Sequence, residues 1–136
     1  MTHEMEYRMV GSSGLRVSAL SLGGWLTFGG SVPDAEAKRI LAAAIDMGID
    51  YVDLADVYSS GKAESVVGDF LSEAKTARHR LVISSKAYWP MSKGSNDRGL
   101  SRKHLFESVD ASLKRLGTDY LDPSFSHREH PGVPLT

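Results

Sequence analysis

The chain of 136 residues contains no cysteine. That excludes disulfide frameworks, thiolate zinc sites and cysteine nucleophiles together, and makes a reducing cytoplasm the expected location. Excess charge of either sign is also missing. Lys plus Arg (16) nearly cancels Asp plus Glu (17), so there is no long-range attraction to phosphate backbones or acidic membranes, and nucleic acid is not an expected partner. No apolar run approaches the ~20 residues needed to span a bilayer. The opening Met-Thr-His-Glu-Met-Glu lacks the basic and then apolar stretches of a secretory signal, so no membrane insertion is expected. What remains, 41% hydrophobic and 24% charged residues, is the balance of one soluble globular domain spanning residues 1–136.

The order of elements is informative. Tyr7 to Val10 and Leu15 to Ala19 flank Gly11-Ser12-Ser13-Gly14, which predicts a β-hairpin. Leu20 to Gly24 is short and apolar, a strand entering a glycine-rich loop that runs through Gly30. Ser31 is the N-cap candidate of a first helix, with Pro33 in its first turn; Ala37, Ile40, Leu41, Ala44 and Ile45 form its inward face and Gly48 closes it. Tyr51 to Ala55 follows as a strand. Val66, Val67, Phe70, Leu71 and Ala74 carry a second helix, with Glu64 near its positive N-terminal end. Leu81 to Ser85 is a strand apolar on both faces, as expected where helices cover a parallel sheet. Ser101 opens a third helix whose stripe is Leu105, Val109, Leu113 and Leu116, and Gly117 ends it. Tyr120 to Ser126 occupies the place of a further strand, although Pro123 within it cannot donate a ladder hydrogen bond. The alternation of strands and helices predicts a parallel α/β sheet with right-handed crossovers, either an open doubly wound sheet or part of a barrel.

Asp53, Lys86 and His127 fall at or near the C-terminal ends of successive predicted strands, and Tyr58 lies in the loop after the first of them. In a parallel sheet those ends open on one face, where α/β active sites are built. Singly, each residue has a plainer reading: a turn cap, a packing tyrosine, a solvated lysine, a structural histidine. Together they suit carbonyl reduction, which needs a proton for the oxygen and donors for its developing charge. Tyrosine, with a reference pKa of about 10, is a poor acid unless a cation such as Lys86 stabilises its phenolate. Asp53 would hold that lysine and His127 would orient the substrate oxygen. The hydride must come from a cofactor, since no side chain supplies one. His127 and His130 are three apart, but no third metal ligand accompanies them.

These residues match a family. Tyr51-Val-Asp-Leu-Ala-Asp-Val-Tyr58 followed by Glu64 resembles the signature of the aldo/keto reductases, as do Leu22 to Gly30, Ser-Ser-Lys86 and the run from Gly99 to Asp122. The last run and Trp25 to Gly30 are most similar to the branch holding the voltage-gated potassium channel β subunits and their bacterial relatives. The resemblance implies the N-terminal half of a (β/α)8 TIM barrel, with NADPH as cofactor and a small-molecule aldehyde or ketone as substrate. It makes Tyr58 the general acid, Lys86 its cationic partner, Asp53 the residue pairing with Lys86, and His127 the group orienting the carbonyl oxygen. It places Gly24, Trp25 and Asp53 near the nicotinamide and its ribose, and Ser31 where the channel-subunit branch has a cofactor-contacting glutamine. His127 matches the catalytic form of the pattern, whereas channel subunits usually carry asparagine there.

A whole barrel of this kind has eight strands and about 250 residues; this chain is expected to have about four. By the resemblance, most carboxamide and phosphate contacts of the cofactor lie in later strands, so the isolated chain is expected to bind it weakly. Gly23, Gly24, Gly29 and Gly30 do not form a Gly-x-Gly-x-x-Gly fingerprint that would substitute. Exposed half-barrel edges are expected to promote self-association. A non-catalytic regulatory subunit resembling the channel β proteins and an inactive gene fragment remain the alternative readings.

Overall fold

The structure, a computed structural model, describes residues 4–74 and 78–134. An antiparallel hairpin of β1 (Tyr7–Met9) and β2 (Arg16–Ser18) comes first, with Tyr7 opposite Ser18. Its turn carries Gly11 and Gly14 at φ +53 and +80, a left-handed region open to glycine at little cost. The hairpin is tied to the start of the next units. Ser18 N–H donates to Asp50 Oδ1 at 2.8 Å, and the Tyr7 hydroxyl donates to Gly48 O at 2.8 Å.

The rest alternates: β3 (Ser21–Gly23), α1 (Asp34–Asp46), β4 (Tyr51–Asp53), α2 (Lys62–Glu73), β5 (Val82–Ala87), α3 (Arg102–Leu116) and β6 (Ser124–Ser126). The four later strands form one parallel sheet in the order β3-β4-β5-β6. Each crossover advances one strand in the same direction. A doubly wound sheet reverses its strand order at a switch point, whereas a barrel adds strands in sequence, so the topology is that of half a (β/α)8 barrel. Val52 and Ile83 point to the helical side, where they join Leu41, Val67, Phe70 and Leu116 in a buried core. Asp53, Ser84 and Lys86 point to the other side, the barrel interior.

Several expected boundaries move. The first helix begins at Asp34 with Pro33 in the cap position, so Ser31 is not its N-cap; its hydroxyl instead donates back to Leu26 O. Proline suits the helix entrance because its missing N–H would have no partner there. At the far end Gly48 has φ +87, as its role of closing the helix requires. Strands expected at 20–24, 51–55, 81–85 and 120–126 are instead 21–23, 51–53, 82–87 and 124–126.

The third helix has its expected ends, with Ser101 accepting from His104 N–H and Gly117 at φ +63. Of its expected stripe only Leu116 is fully buried. His104, Ser108, Ser112 and Leu116 are buried, while Leu105, Val109 and Leu113 are half-buried. The first three turns of the helix are rotated by one residue, about 100°, and Ser108 and Ser112 on the buried side have polar partners, whereas neither ring nitrogen of His104 is hydrogen-bonded among the described residues. Ser108 bonds Asp56, and Arg115 donates to both Ser112 Oγ and Glu64 Oε2. Glu64 is fully buried and also accepts from Ser85 Oγ at 2.6 Å. One carboxylate therefore ties α2, α3 and β5 together. Gly68 lets α2 and α3 meet closely, since a Cβ there would lie 2.3 Å from Arg115 O.

Pro123 is accommodated by its neighbour. Asp122 N–H donates to Ile83 O at 3.1 Å and Asp122 Oδ2 accepts from Ile83 N–H at 2.8 Å, so the backbone of β5 stays paired where proline has no donor. The strand then starts at Ser124, and Asp122 Oδ2 also accepts from Arg78 at 2.7 Å.

Replacing Glu64 by Ala leaves the partly buried Arg115 guanidinium without its counter-charge and Ser85 without its acceptor. Urea unfolding should show a loss of about 3 kcal/mol; a loss below about 1 kcal/mol would show that the helices are held by apolar packing alone.

Candidate active site

Parallel pairing sets the site. Asp53 stands opposite Ser84, and Lys86, two residues further along β5, projects from the same face. The Lys86 ammonium donates to Asp53 Oδ2 at 2.7 Å, to Leu54 O at 2.7 Å and to Tyr58 Oη at 3.2 Å. An ammonium has three protons and no acceptor site. All three are engaged, and in the third contact tyrosine must be the acceptor. The phenol proton of Tyr58 is thereby left to point away from Lys86.

Ser84 was not among the residues expected from the sequence. It is fully buried, and its hydroxyl donates to Asp53 Oδ1 at 2.8 Å, leaving Oδ2 to Lys86. Nothing local distinguishes it from any small strand residue; only the register with Asp53 does.

Tyr58 follows β4 by five residues on a short turn. Ser59 just after it and Leu26 just after Trp25 both adopt left-handed backbone, at φ +50 and +65. Non-glycine residues take this conformation at a cost of order 1 kcal/mol or more, and such positions cluster at functional sites. Here they set two rings side by side: Trp25 stacks on Tyr58 with centroids 6.4 Å apart and planes 27° apart. Trp25 is 65% exposed, an unusual position for so large an apolar surface.

His127 follows β6 directly, and its N–H donates to Ala87 O at 3.1 Å, so Pro123 does not displace it. Its ring meets Tyr58 edge-on at 5.8 Å. Its Nδ1 is buried with no hydrogen-bond partner among the described residues, which leaves Nε2 as the nitrogen open to the cavity. Burial holds its pKa below the ordinary 6.5, reinforced by the charges of Lys86 and Arg128 and opposed by Asp53. The imidazole is therefore neutral at pH 7.

Trp25, Tyr58, Trp89, His127 and Arg128 line a cavity of about 480 Å3 over this cluster. A larger groove of about 690 Å3, lined by Arg78, Leu113, Gly117 and Tyr120 among others, contains none of the four residues. It lies toward the N-terminal ends of β5 and β6, the end of such folds associated with stability more than with chemistry.

Gly24 is closely packed on the side where a side chain would project. A Cβ on it would lie 2.6 Å from Leu54 Cδ2, so its missing side chain makes room for the core. Gly23, paired with Asp53, is the open one: a Cβ there would meet nothing within 4 Å. Ser31 is exposed. No group of three or more metal-ligating side chains occurs among the described residues.

A half-barrel whose lysine, aspartate, tyrosine and histidine gather at the C-terminal ends of parallel strands defines a class, the α/β-barrel proteins with a polar centre at the barrel mouth. The family follows from comparison. The sequence pattern of the aldo/keto reductase family matches residues 19–136, and the chain belongs to that family. A probable voltage-gated potassium channel subunit beta from Arabidopsis thaliana is 45% identical over 131 residues, covering 96% of this chain and 40% of the relative. Its counterpart from Oryza sativa subsp. japonica is 44% identical over the same length and shares. Among solved structures, the thermostable aldo-keto reductase Tm1743, in complex with the inhibitor epalrestat, superimposes with a TM-score of 0.79 at 35% identity, covering 96% of this chain and 46% of that one. The aldo-keto reductase AKR11C1 from Bacillus halodurans, in its holo form, gives 0.75 at 32%, covering 88% of this chain and 39% of that one. The chain thus spans less than half the length of these proteins.

The depressed pKa of His127 has a sign that can be checked. Between the unfolded value of 6.5 and the lower folded value, the unfolded chain binds the extra proton, so stability falls as pH falls through that window. An NMR titration should place the His127 midpoint below 6.5, and His127→Gln should reduce the acid-induced loss of stability; a midpoint above 6.5 would contradict this.

Proposed function

We propose that this chain carries the catalytic centre of an NADPH-dependent oxidoreductase that reduces aldehyde or ketone carbonyls. The observation that supports this reading is the threefold engagement of the Lys86 ammonium, which directs the Tyr58 proton outward beside a neutral His127. The surface around Asp53 fits the nicotinamide end of the cofactor. Trp25 offers an exposed indole face, Gly23 leaves the inner wall flat, and the Asp53 carboxylate can accept from ribose hydroxyls. When bound, the cofactor supplies the hydride.

The chain's own residues do the rest. In this reading neutral His127 takes the tautomer with its proton on Nε2, donates a hydrogen bond to the carbonyl oxygen and fixes its position. Tyr58 Oη passes its proton to that oxygen as negative charge develops, a step of general acid catalysis worth typically 10²–10⁴-fold. The Lys86 ammonium, 3.2 Å away, stabilises the phenolate left behind. Asp53, held by Ser84, keeps the ammonium in place. Trp25 and Trp89 limit the entry of water. Cytoplasmic location and self-association through the open edges of β3 and β6 belong to the same reading.

One observation favours a second reading. The two plant relatives carry the name of channel β subunits, so a regulatory subunit that binds its partner without carbonyl turnover is the alternative.

In an assay of NADPH-dependent reduction of aromatic aldehydes, Tyr58→Phe should lower turnover by about 10²-fold or more while leaving cofactor binding within about twofold. Full turnover in Tyr58→Phe would exclude the proposed proton donor. Partner binding by a protein with no turnover would favour the regulatory reading.

A further inference from the structure

A second cavity, of about 430 Å3, lies on the far side of Trp89. It is formed by the loop after β5 and by His130. The loop is tied, with Gly99 N–H donating to Tyr88 O at 2.7 Å and Leu100 N–H donating to His130 Nδ1 at 3.2 Å. Gly99, at φ +81, is required twice over, because a Cβ there would also lie 2.9 Å from the His130 ring.

Trp89 lines both this cavity and the one over Tyr58. The rings between them form an unbroken run. Tyr58 meets His127 at 5.8 Å, His127 meets Trp89 at 6.2 Å, Trp89 meets Tyr88 at 5.2 Å and Tyr88 meets His130 at 6.1 Å, all edge-on. Ring faces and edges alternate along this run, an apolar lining that suits an aromatic ligand.

The far end is polar. Arg98, Asn96 and Ser95 line it, and so does Ser101, the N-cap of the 15-residue α3, whose positive end adds to the field of the guanidinium. No carboxylate lies within ion-pairing distance of Arg98 among the described residues. The neighbouring Asp97 faces His104 instead, with Oδ1 3.5 Å from Nδ1.

We propose that this second cavity is a distal substrate subsite that selects elongated aromatic carbonyl compounds ending in a carboxylate, with Arg98 as the specificity residue. The orientation of the ligand rests on the reductase reading, which puts its carbonyl between Tyr58 and His127. A ligand that occupies both cavities needs one ring on each side of Trp89, and two linked phenyl rings, roughly 10 Å long, have that shape.

The test uses 4′-formylbiphenyl-4-carboxylate and its neutral counterpart 4-formylbiphenyl, with binding followed by NMR on the cofactor-free chain. The charged probe should bind about tenfold more tightly and shift the Gly99 and Leu100 amides together with the Trp89 indole. Arg98→Ala should remove that difference and leave the neutral probe unchanged, while Arg98→Lys should retain part of it. Equal binding of the two probes, no binding of either, an undiminished preference in Arg98→Ala, or shifts confined to Trp25 and Tyr58 would overturn the proposal. Binding here requires no turnover, so failure of the reductase reading would show separately, as charged-probe binding with the aldehyde still unreduced after NADPH is added.

Discussion

The pairing of β4 with β5 is the constraint on which the site depends. Asp53 opposite Ser84 brings Lys86 within reach of the carboxylate, the Leu54 carbonyl and the Tyr58 oxygen at once. A slip of one residue would turn Lys86 toward the helices and bury an unpaired ammonium in the core. The register is protected by what lies on the other face. Val52 and Ile83 are almost wholly buried, and the same slip would expose both. Apolar burial and polar chemistry thus reinforce one alignment.

The helices hold that alignment from outside. Glu64 bridges α2, β5 and α3 in a setting that excludes water, and its partners Ser85 and Arg115 come from both neighbouring elements. Asp122 performs a comparable task at the other side of β5, joining Arg78 and the Ile83 backbone next to a proline. Buried polar groups of this kind add little net energy compared with apolar packing, but they are costly to leave unsatisfied and so discriminate against other arrangements.

Much of the fold was legible because its signals are local. Gly48 and Gly117 take positive φ where they were read as helix ends, and Ser101 caps α3. The strand order was not local, and the choice between an open sheet and a barrel rested on topology. Ser84, Asp122 and the buried face of α3 were missed for one reason. Their roles are defined by partners 31, 39 and 52 residues away, Asp53, Ile83 and Asp56. Ser31 was misread because a good capping side chain stood three residues before the true start, where proline had already set the entrance. Gly24 was tied to the cofactor by family likeness, and the packing of Leu54 and Phe28 where its side chain would project is a separate reason for glycine there.

The direct measurement is the melting temperature of this chain as NADPH is added. If Asp53, Trp25 and Gly23 form the nicotinamide end of a cofactor site, Tm should rise with concentration, reaching about 2.7 kcal/mol of added stability at a hundred times the dissociation constant. For a domain of this size that is several degrees. A cooperative melt whose midpoint stays fixed at every NADPH concentration would contradict the account.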